Sequence, residues 1–226
     1  LEPLSDAQQQ LLAHELHIDP SPTRLTHETD AYGNRRVVFS LNQPHKALTV
    51  RSRSHVAPLS LADSCRPDLA PAWQAVAAAL RYEAGARYDP AVEFVQPSAY
   101  VPRLAPLRDY GAASFPAGMP VAQGALDLMR RIHADFEFHN ASTEIDTPLI
   151  EAFEQRSGVC QDLAHLMIGM LRMLGLPARY VSGYLLTKPP PGQPALQGTD
   201  ASHAWVQLYS PDTPGVAGGW LDLDPT

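Results

Sequence analysis

The chain has 226 residues, of which 45% are apolar and 18% are charged. This balance excludes a disordered or low-complexity protein and leaves enough apolar residues for a sizeable core. The net charge is −7, so the chain lacks the basic excess that binding to a nucleic-acid backbone requires. No window approaches the ~20 consecutive apolar residues of a membrane span, and the first residues lack the pattern of a secretory signal. We therefore expect neither nucleic acid nor a membrane as a partner.

Residues 1–66 are predicted to form a small β domain. Alternating or β-branched residues occupy the segments 14–18, 35–41 and 47–56, and turn residues such as Gly33 separate them. The simplest arrangement of these strands is a β-sandwich. From residue 68 the period changes to the helical one, so we place the domain boundary near Pro67 and a second domain at 67–226.

The second domain begins with a predicted helix around Trp73, after Pro71 at its first turn. Residues 85–120 contain six prolines and little periodicity, which predicts a long irregular surface segment of the kind that often borders a site. Helical spacing resumes at Val121, and a further short helix follows the pair Thr147-Pro148.

The clearest helical pattern runs over residues 157–174 and stops at Gly175-Leu176-Pro177. Predicted strands follow at 178–187, 203–209 and 220–223, and prolines and glycines at 188–199 exclude regular structure there. This order of helices and strands predicts an α+β domain.

Cys160 lies in the first turn of the helix at 157–174. Unpaired N–H groups and the positive end of the helix dipole favour a thiolate there, and the N–H of Cys160 could face a developing oxyanion. Gly158 would let a substrate backbone approach closely. The alternative is a buried structural thiol, since free cysteines are among the most often buried residues.

The strands after the helix supply partners for a nucleophilic thiol. His203 and Trp205 share one face of their strand, and Asp222 and Asp224 share one face of the last strand. A histidine on a face that meets the helix N-terminus could take the thiol proton, and a carboxylate could orient its ring. Because strand alternation places both aspartates on the same face, it does not show which of them would orient the histidine.

Several sequence runs carry a resemblance to a known family. They are SGVCQDLAHL at 157–166, LGLPARYVSGY at 174–184, SHAWV at 202–206, GWLDLDPT at 219–226 and DAYGN at 30–34. The first four closely resemble the core, histidine and acid motifs of bacterial transglutaminase-like proteins, which are often described as cysteine proteases. The last is similar to the β domain that precedes the catalytic domain in this family.

The resemblance implies an N-terminal β-sandwich-like domain followed by a papain-like, transglutaminase-like α+β core. It implies a catalytic triad of Cys160, His203 and Asp224, with Asp224 rather than Asp222 as the orienting acid, and no cofactor. Members of this family usually continue beyond the acid motif with further strands, so either a tail beyond Thr226 is disordered or absent from this sequence, or this member is short.

The function expected from these residues is cysteine-dependent acyl transfer on peptide or isopeptide amides, with hydrolysis favoured over crosslinking. The alternative is a non-catalytic peptide-binding or scaffolding module of the same fold. A redox role is disfavoured because Cys160 has no partner in a Cys-x-x-Cys motif. Two cysteines are too few for a disulfide scaffold, which favours a reducing, cytoplasmic location.

Other polar and aromatic residues lie in or near these motifs. Asp162 and His165 are expected to support the site structurally, and Tyr184 and Trp205 to line the substrate cleft. Gln155 is expected to be a solvated helix residue rather than a second oxyanion donor, and Cys65 an inert thiol. No metal site is expected from His133, Asp135, Glu137 and His139, because their spacing gives no shared face.

Overall fold

The computed structural model describes residues 1–59, 65–81, 83–85, 87–139, 147–185 and 202–226. The chain divides into two units, Leu1–Asp63 and Ser64–Thr226. This division falls close to the boundary predicted near Pro67. Within the described ranges, no helix is long and apolar enough to cross a membrane.

The described residues 1–59 of the N-terminal unit contain four strands that pair two by two. They are β1 (Gln9–Asp19), β2 (Arg24–Thr29), β3 (Arg35–Ser40) and β4 (Thr49–Pro58). β1 pairs with β4 and β2 with β3, both antiparallel. The turn between β2 and β3 is held by the carboxylate of Asp30, which accepts hydrogen bonds from the backbone N–H groups of Tyr32 and Asn34. Strand β2 was missed in the sequence because its residues are mostly polar, and its pairing with β3 is what makes it a strand.

The C-terminal unit contains five α-helices in its described part. They are α1 (Trp73–Ala79), α2 (Ala105–Ala112), α3 (Val121–Asp135), α4 (Leu149–Gln155) and α5 (Cys160–Met173). Four of these follow the helical spacing of the sequence, and Gly175 ends α5 with a φ of 80° as its stop signal predicts. Helix α4 begins one residue later than expected, with Pro148 as its N-cap residue.

The expectation of an irregular surface segment at 85–120 is wrong, because a 3-10 helix spans Pro90–Val95 and buried residues occur in both halves of the segment. Helix α2 lies there, with Pro106 in its first turn, where a missing N–H costs nothing. Leu107 is fully buried, and Val101 and Phe115 are nearly so. The prolines hid a core helix because packing against α5, rather than local periodicity, specifies it.

The described part of the C-terminal unit also contains five strands. β5 (Glu137–Phe138) pairs in parallel with β6 (Ser157–Gly158). β7 (Ala178–Tyr184), β8 (Ser202–Tyr209) and β9 (Trp220–Leu223) form an antiparallel sheet in that order. The predicted irregular segment at 188–199 lies outside the described residues.

Helix α5 lies at the centre of the core and packs against α2, β7 and β8. Its apolar stripe is buried together with one face of the sheet, which includes Val206, Leu208 and Leu223. The registers Val206↔Leu223 and Gln207↔Asp222 put alternate residues on alternate faces. One face of β8 and β9 is therefore apolar, and the other carries His203, Trp205 and Asp222.

Candidate active site

Cys160 is the first residue of α5, and the turn before it is fixed by a side chain of the same helix. The carboxylate of Asp162 accepts a hydrogen bond of 2.9 Å from the backbone N–H of Val159. This is the reaching-back half of a capping box, in which an acidic residue at the third helical position satisfies the N-cap N–H. Asp162 is only 6% exposed, so it holds the backbone next to the thiol rather than facing solvent.

Gly158 makes room for this cap. A Cβ at Gly158 would lie 2.7 Å from the Cβ of Asp162, which is closer than real Cβ atoms approach. The sequence suggested that the missing side chain admits a substrate backbone. In the structure the space is taken by Asp162 instead.

The segment before Cys160 is also held by a cluster that the sequence did not reveal. Arg156 has a left-handed φ of 55°, and its guanidinium lies 4.7 Å from the ring centres of both Phe136 and Phe153 and 5.1 Å from that of Tyr110. The backbone carbonyl of Arg156 accepts a hydrogen bond from the N–H of Glu137. Cation–π contacts of this kind fix the loop that leads to the thiol. No local pattern announces them, because the residues come from α2, α4 and the end of α3.

His203 and Asp224 are in direct contact. The Nε2 atom of His203 lies 2.7 Å from Oδ2 of Asp224, and the histidine side chain is 9% exposed while the aspartate is 45% exposed. The backbone N–H of Thr226 donates to the other carboxylate oxygen over 3.1 Å. When Nε2–H donates to Asp224, the lone pair of the neutral ring is on Nδ1, which becomes the nitrogen that can accept a proton.

Asp222 has different partners from Asp224. Its Oδ1 accepts hydrogen bonds from the indole N–H of Trp205 at 2.8 Å and from the side-chain amide of Gln207 at 2.9 Å. Two aspartates on one face, which strand periodicity could not tell apart, thus serve different residues. The carboxylate that contacts the histidine is that of Asp224.

Trp205 and Tyr184 are placed very differently. The indole of Trp205 lies over Gly183, where a Cβ would be 2.5 Å from the ring, and it stacks beside His203 with ring centres 6.2 Å apart. Tyr184 lies at the end of β7 and is 71% exposed. Trp205 is therefore a packing and hydrogen-bonding residue beside the histidine, and contact with substrate stays a prediction for both residues.

The remaining predicted residues lie in ordinary surroundings. Gln155 is the exposed last residue of α4. Cys65 is a half-buried free thiol, and burial raises its pKa. Asp135 accepts a hydrogen bond of 2.7 Å from the hydroxyl of Tyr110. Among the residues that the structure describes, no group of His, Cys, Asp and Glu is arranged to hold a metal ion.

The structure thus brings together part of the predicted site. His203 and Asp224 are joined directly, and α5 packs against β8, the strand that carries His203. No hydrogen bond between Cys160 and His203 is present in the described part of the chain.

Comparison with solved structures finds a similar fold. This chain is similar to a "Putative Cysteine Protease" from Cytophaga hutchinsonii, with a TM-score of 0.67 and 22% sequence identity. The match covers 100% of this chain and 69% of the Cytophaga chain. This likeness covers both units and shows the fold.

Comparison with curated proteins finds closer relatives in sequence. An uncharacterized protein of Mycobacterium tuberculosis is 40% identical over 230 residues, which cover 100% of this chain and 71% of that protein. A protein of Mycobacterium leprae is 32% identical and is covered over 74% of its length. A Protein-glutamine gamma-glutamyltransferase of Pseudomonas aeruginosa matches at 40% identity over 75 residues, 33% of this chain and 10% of that protein.

Two family models match the chain. The bacterial transglutaminase-like N-terminal region matches residues 1–57, and the transglutaminase-like superfamily model matches residues 113–225, which include Cys160, His203 and Asp224. The chain therefore belongs to the transglutaminase-like superfamily.

Proposed function

We propose that the protein is a cysteine-dependent acyl-transfer enzyme that cleaves peptide or isopeptide amides through a thioester on Cys160. The observation that carries the proposal is the 2.7 Å contact between Asp224 and His203, a residue of the strand β8 against which the helix of Cys160 packs. A carboxylate that fixes a histidine ring is the arrangement that an activated nucleophile requires. The motif match to the family includes all three residues.

The sheet register supports a position of His203 toward the end of the sheet at which α5 begins. Arg172, near the end of α5, donates to the carbonyl of Ala178, and the ring of His165 contacts that of Tyr180. Strand β7 therefore runs toward the N-terminus of α5. His203 pairs with Gly183, which is about 10 Å further along this direction than Tyr180 at ~3.3 Å per strand residue.

The helix covers a similar distance over the same interval. Cys160 precedes His165 by five positions, or about 7.5 Å at ~1.5 Å per helical residue. Cys160 and His203 thus belong to the same end of the layer formed by α5 and the sheet. The bond between a nucleophile and its base is often long before substrate binds, so the missing hydrogen bond does not argue against the pair.

In the first half of the proposed reaction, His203 takes the proton of the Cys160 thiol, and the thiolate attacks the amide carbonyl. The C–N bond then breaks, His203 gives its proton to the departing amine, and the acyl group stays on sulfur as a thioester. Asp224 stabilises the imidazolium and holds Nε2, so that Nδ1 faces the reaction. The backbone N–H of Cys160 is the proposed donor to the oxyanion.

In the second half, His203 takes a proton from water, and the resulting hydroxide attacks the thioester. The C–S bond breaks to release a carboxylic acid, and His203 returns its proton to the departing sulfur of Cys160. An amine in place of water would give amide exchange. Hydrolysis is the preferred outcome of the proposal, because exchange needs a cleft that excludes water. The Pseudomonas relative is named as a transferase, so the product of amide exchange should be measured as well.

The test is incubation with a peptide library, with and without a primary amine, followed by mass spectrometry of the products. We expect hydrolysed amides that require Cys160, and we expect none from Cys160→Ala, while Cys65→Ala behaves like the unaltered chain. Products from Cys160→Ala, or no product in either mode, would contradict the proposal. The second outcome would favour the alternative of a non-catalytic peptide-binding module.

A further inference from the structure

A cleft of about 360 Å³ runs along one face of α5, close to Cys160. Gln161, His165, Ile168 and Arg172 recur at spacings of four, three and four residues, so their side chains form one stripe of the helix. The other wall comes from Ser98, Tyr100, Val101 and Tyr180. We call this space the Tyr100–His165 cleft.

Three rings stand side by side in this cleft. Tyr100 and His165 are nearly parallel, with ring centres 5.7 Å apart and planes 8° apart. His165 and Tyr180 are 5.0 Å apart and tilted by 34°. Tyr100 is 59% exposed and Tyr180 39% exposed, so packing into the core does not account for this aromatic surface. Exposed aromatic faces grouped in a concavity are typical of a site that stacks a planar apolar group.

The charge of the cleft disfavours cations. Burial lowers the pKa of His165, the nearby Arg172 lowers it further, and Asp162 partly opposes them, so the imidazole is neutral at neutral pH. Among the described residues, those that line the cleft include Arg172 and no carboxylate, and the nearby carboxylate of Asp162 is 6% exposed and accepts a hydrogen bond from the N–H of Val159. A lysine or arginine side chain would therefore meet the positive charge of Arg172 and only a buried carboxylate that is already hydrogen-bonded.

The cleft begins beside the proposed nucleophile. Gln161 directly follows Cys160, and Tyr180 is close enough for the charge of Cys160 to raise the pKa of its hydroxyl, after the larger effect of burial. A peptide whose amide carbonyl lies at Cys160 would place a neighbouring side chain along this stripe. The volume is near the lower end of ligand pockets, which suits one large side chain.

We propose that the Tyr100–His165 cleft is the specificity pocket for an aromatic side chain of a peptide substrate, next to the amide that Cys160 attacks. The position next to the scissile amide rests on the proposed function. The binding of an aromatic peptide does not, because the cleft needs no catalysis to be occupied.

The test uses the full chain carrying Cys160→Ala, which cannot form the thioester. Short N-acetylated peptide amides that differ only in one residue, Phe, Leu or Lys, are titrated by NMR or calorimetry. We expect the Phe peptide to bind about fivefold more tightly than the Leu peptide, as one added aromatic stack allows, and the Lys peptide to bind most weakly.

Variants of the exposed tyrosines separate the cleft from the rest of the surface. Tyr100→Ala should abolish the preference for Phe, whereas Tyr100→Phe should keep it because the ring remains. Tyr88→Ala is the matched control, since Tyr88 is 64% exposed, lies outside the cleft and bonds to Glu93. Thermal melts confirm that each variant is folded.

Equal binding of the Phe and Leu peptides, a preference that survives Tyr100→Ala, or no binding at millimolar peptide would overturn this proposal. A clear Phe preference in a protein that turns over no amide would sink the proposed function and leave the pocket standing. Turnover without any preference would do the reverse.

Discussion

Alternate residues of the strands β7, β8 and β9 lie on opposite faces of the sheet, and the two faces have different roles. On the face toward the core, Ala204, Val206 and Leu208 are at most 2% exposed. On the other face, His203 contacts Asp224, and Trp205 is hydrogen-bonded to Asp222. Each residue of β8 thus differs in role from its immediate neighbour.

Odd- and even-numbered positions of a strand can thus serve different purposes, one set stabilising the fold and the other supplying the proposed chemistry. Side chains of one parity remove apolar area from water, which is the main favourable contribution to folding. Side chains of the other parity keep polar groups at fixed hydrogen-bond distances, where a histidine can be oriented. Substitutions on the two faces should therefore give separable effects.

The largest expected effect is on turnover, from loss of the carboxylate that holds His203. We expect Asp224→Ala to lower kcat by about 10³-fold or more, because the imidazolium loses its partner and its orientation. Asp224→Asn should also lower kcat strongly, because its one amide oxygen cannot accept from both the N–H of Thr226 and Nε2–H of His203, and an amide N–H directed at Nε2 fixes the wrong tautomer. Steady-state kinetics on any peptide that the library test identifies would measure both.

The control for this comparison is Asp222→Asn. Its Oδ1 still accepts the hydrogen bonds from Trp205 and Gln207, so we expect kcat within a few-fold of the unaltered chain. If Asp222→Asn lowered kcat more than Asp224→Asn, Asp222 rather than Asp224 would be the acid of the site.

Next in size is the loss of stability from the core face. Leu208 is fully buried, and we expect Leu208→Ala to lower the free energy of unfolding by about 2–5 kcal/mol through lost burial and a residual cavity. The fraction that stays folded should keep its kcat. Leu185→Ala is the control, because Leu185 is 46% exposed and its removal should change stability little. Urea denaturation checks both, and a large loss of kcat in folded Leu208→Ala would break the separation of the faces.

A smaller effect on both properties is expected at Gly183. An added Cβ there meets the ring of Trp205 at 2.5 Å, and that ring is held by Asp222 beside His203. We expect Gly183→Ala to cost about 1–3 kcal/mol of stability and also to reduce kcat. The double variant with Trp205→Phe, whose ring reaches less far, should recover part of the stability. Purely additive losses in this double-mutant cycle would show that the clash is not with Trp205.

The smallest expected effect is a change in the pH dependence of stability at His165. Its folded-state pKa lies below the ordinary value of 6.5, chiefly because of burial. His165 therefore takes up a proton more readily in the unfolded chain than in the folded one. The free energy of unfolding is unaffected by this difference above about pH 6.5, and it decreases as the pH falls through the lowered pKa.

Accordingly, His165→Gln should lose less stability than the unaltered chain when the pH is lowered from about 7 to about 5. The exposed His17, on β1, provides the control variant His17→Gln, which should follow the unaltered chain. Urea unfolding at several pH values measures this difference. A steeper decline in His165→Gln would contradict the direction of the shift.

Much of the catalytic unit could be predicted because its elements carry strong local signals. Helix α5 has a continuous apolar stripe and a glycine stop, and β8 and β9 alternate cleanly between apolar and polar residues. Placing Cys160 at the start of a helix, and His203 on a polar strand face, needed nothing more than these periods.

The features that were missed depend on contacts between distant parts of the chain. Helix α2 lies in a proline-rich segment and is specified by burial of Leu107 against the core. The ring cluster around Arg156 joins residues from separate helices. The division of labour between Asp222 and Asp224 depends on sheet register, which alternation on one strand does not fix.

Alkylation measures whether Cys160 is an activated nucleophile that depends on His203. Iodoacetamide is added to the full chain and to His203→Ala, and the modification of each cysteine is followed in time by peptide mass spectrometry. We predict that Cys160 reacts about tenfold faster than Cys65 or more, since burial raises the pKa of Cys65, and that this advantage shrinks in His203→Ala. Equal rates at the two cysteines, or an advantage that His203→Ala leaves unchanged, would contradict the account.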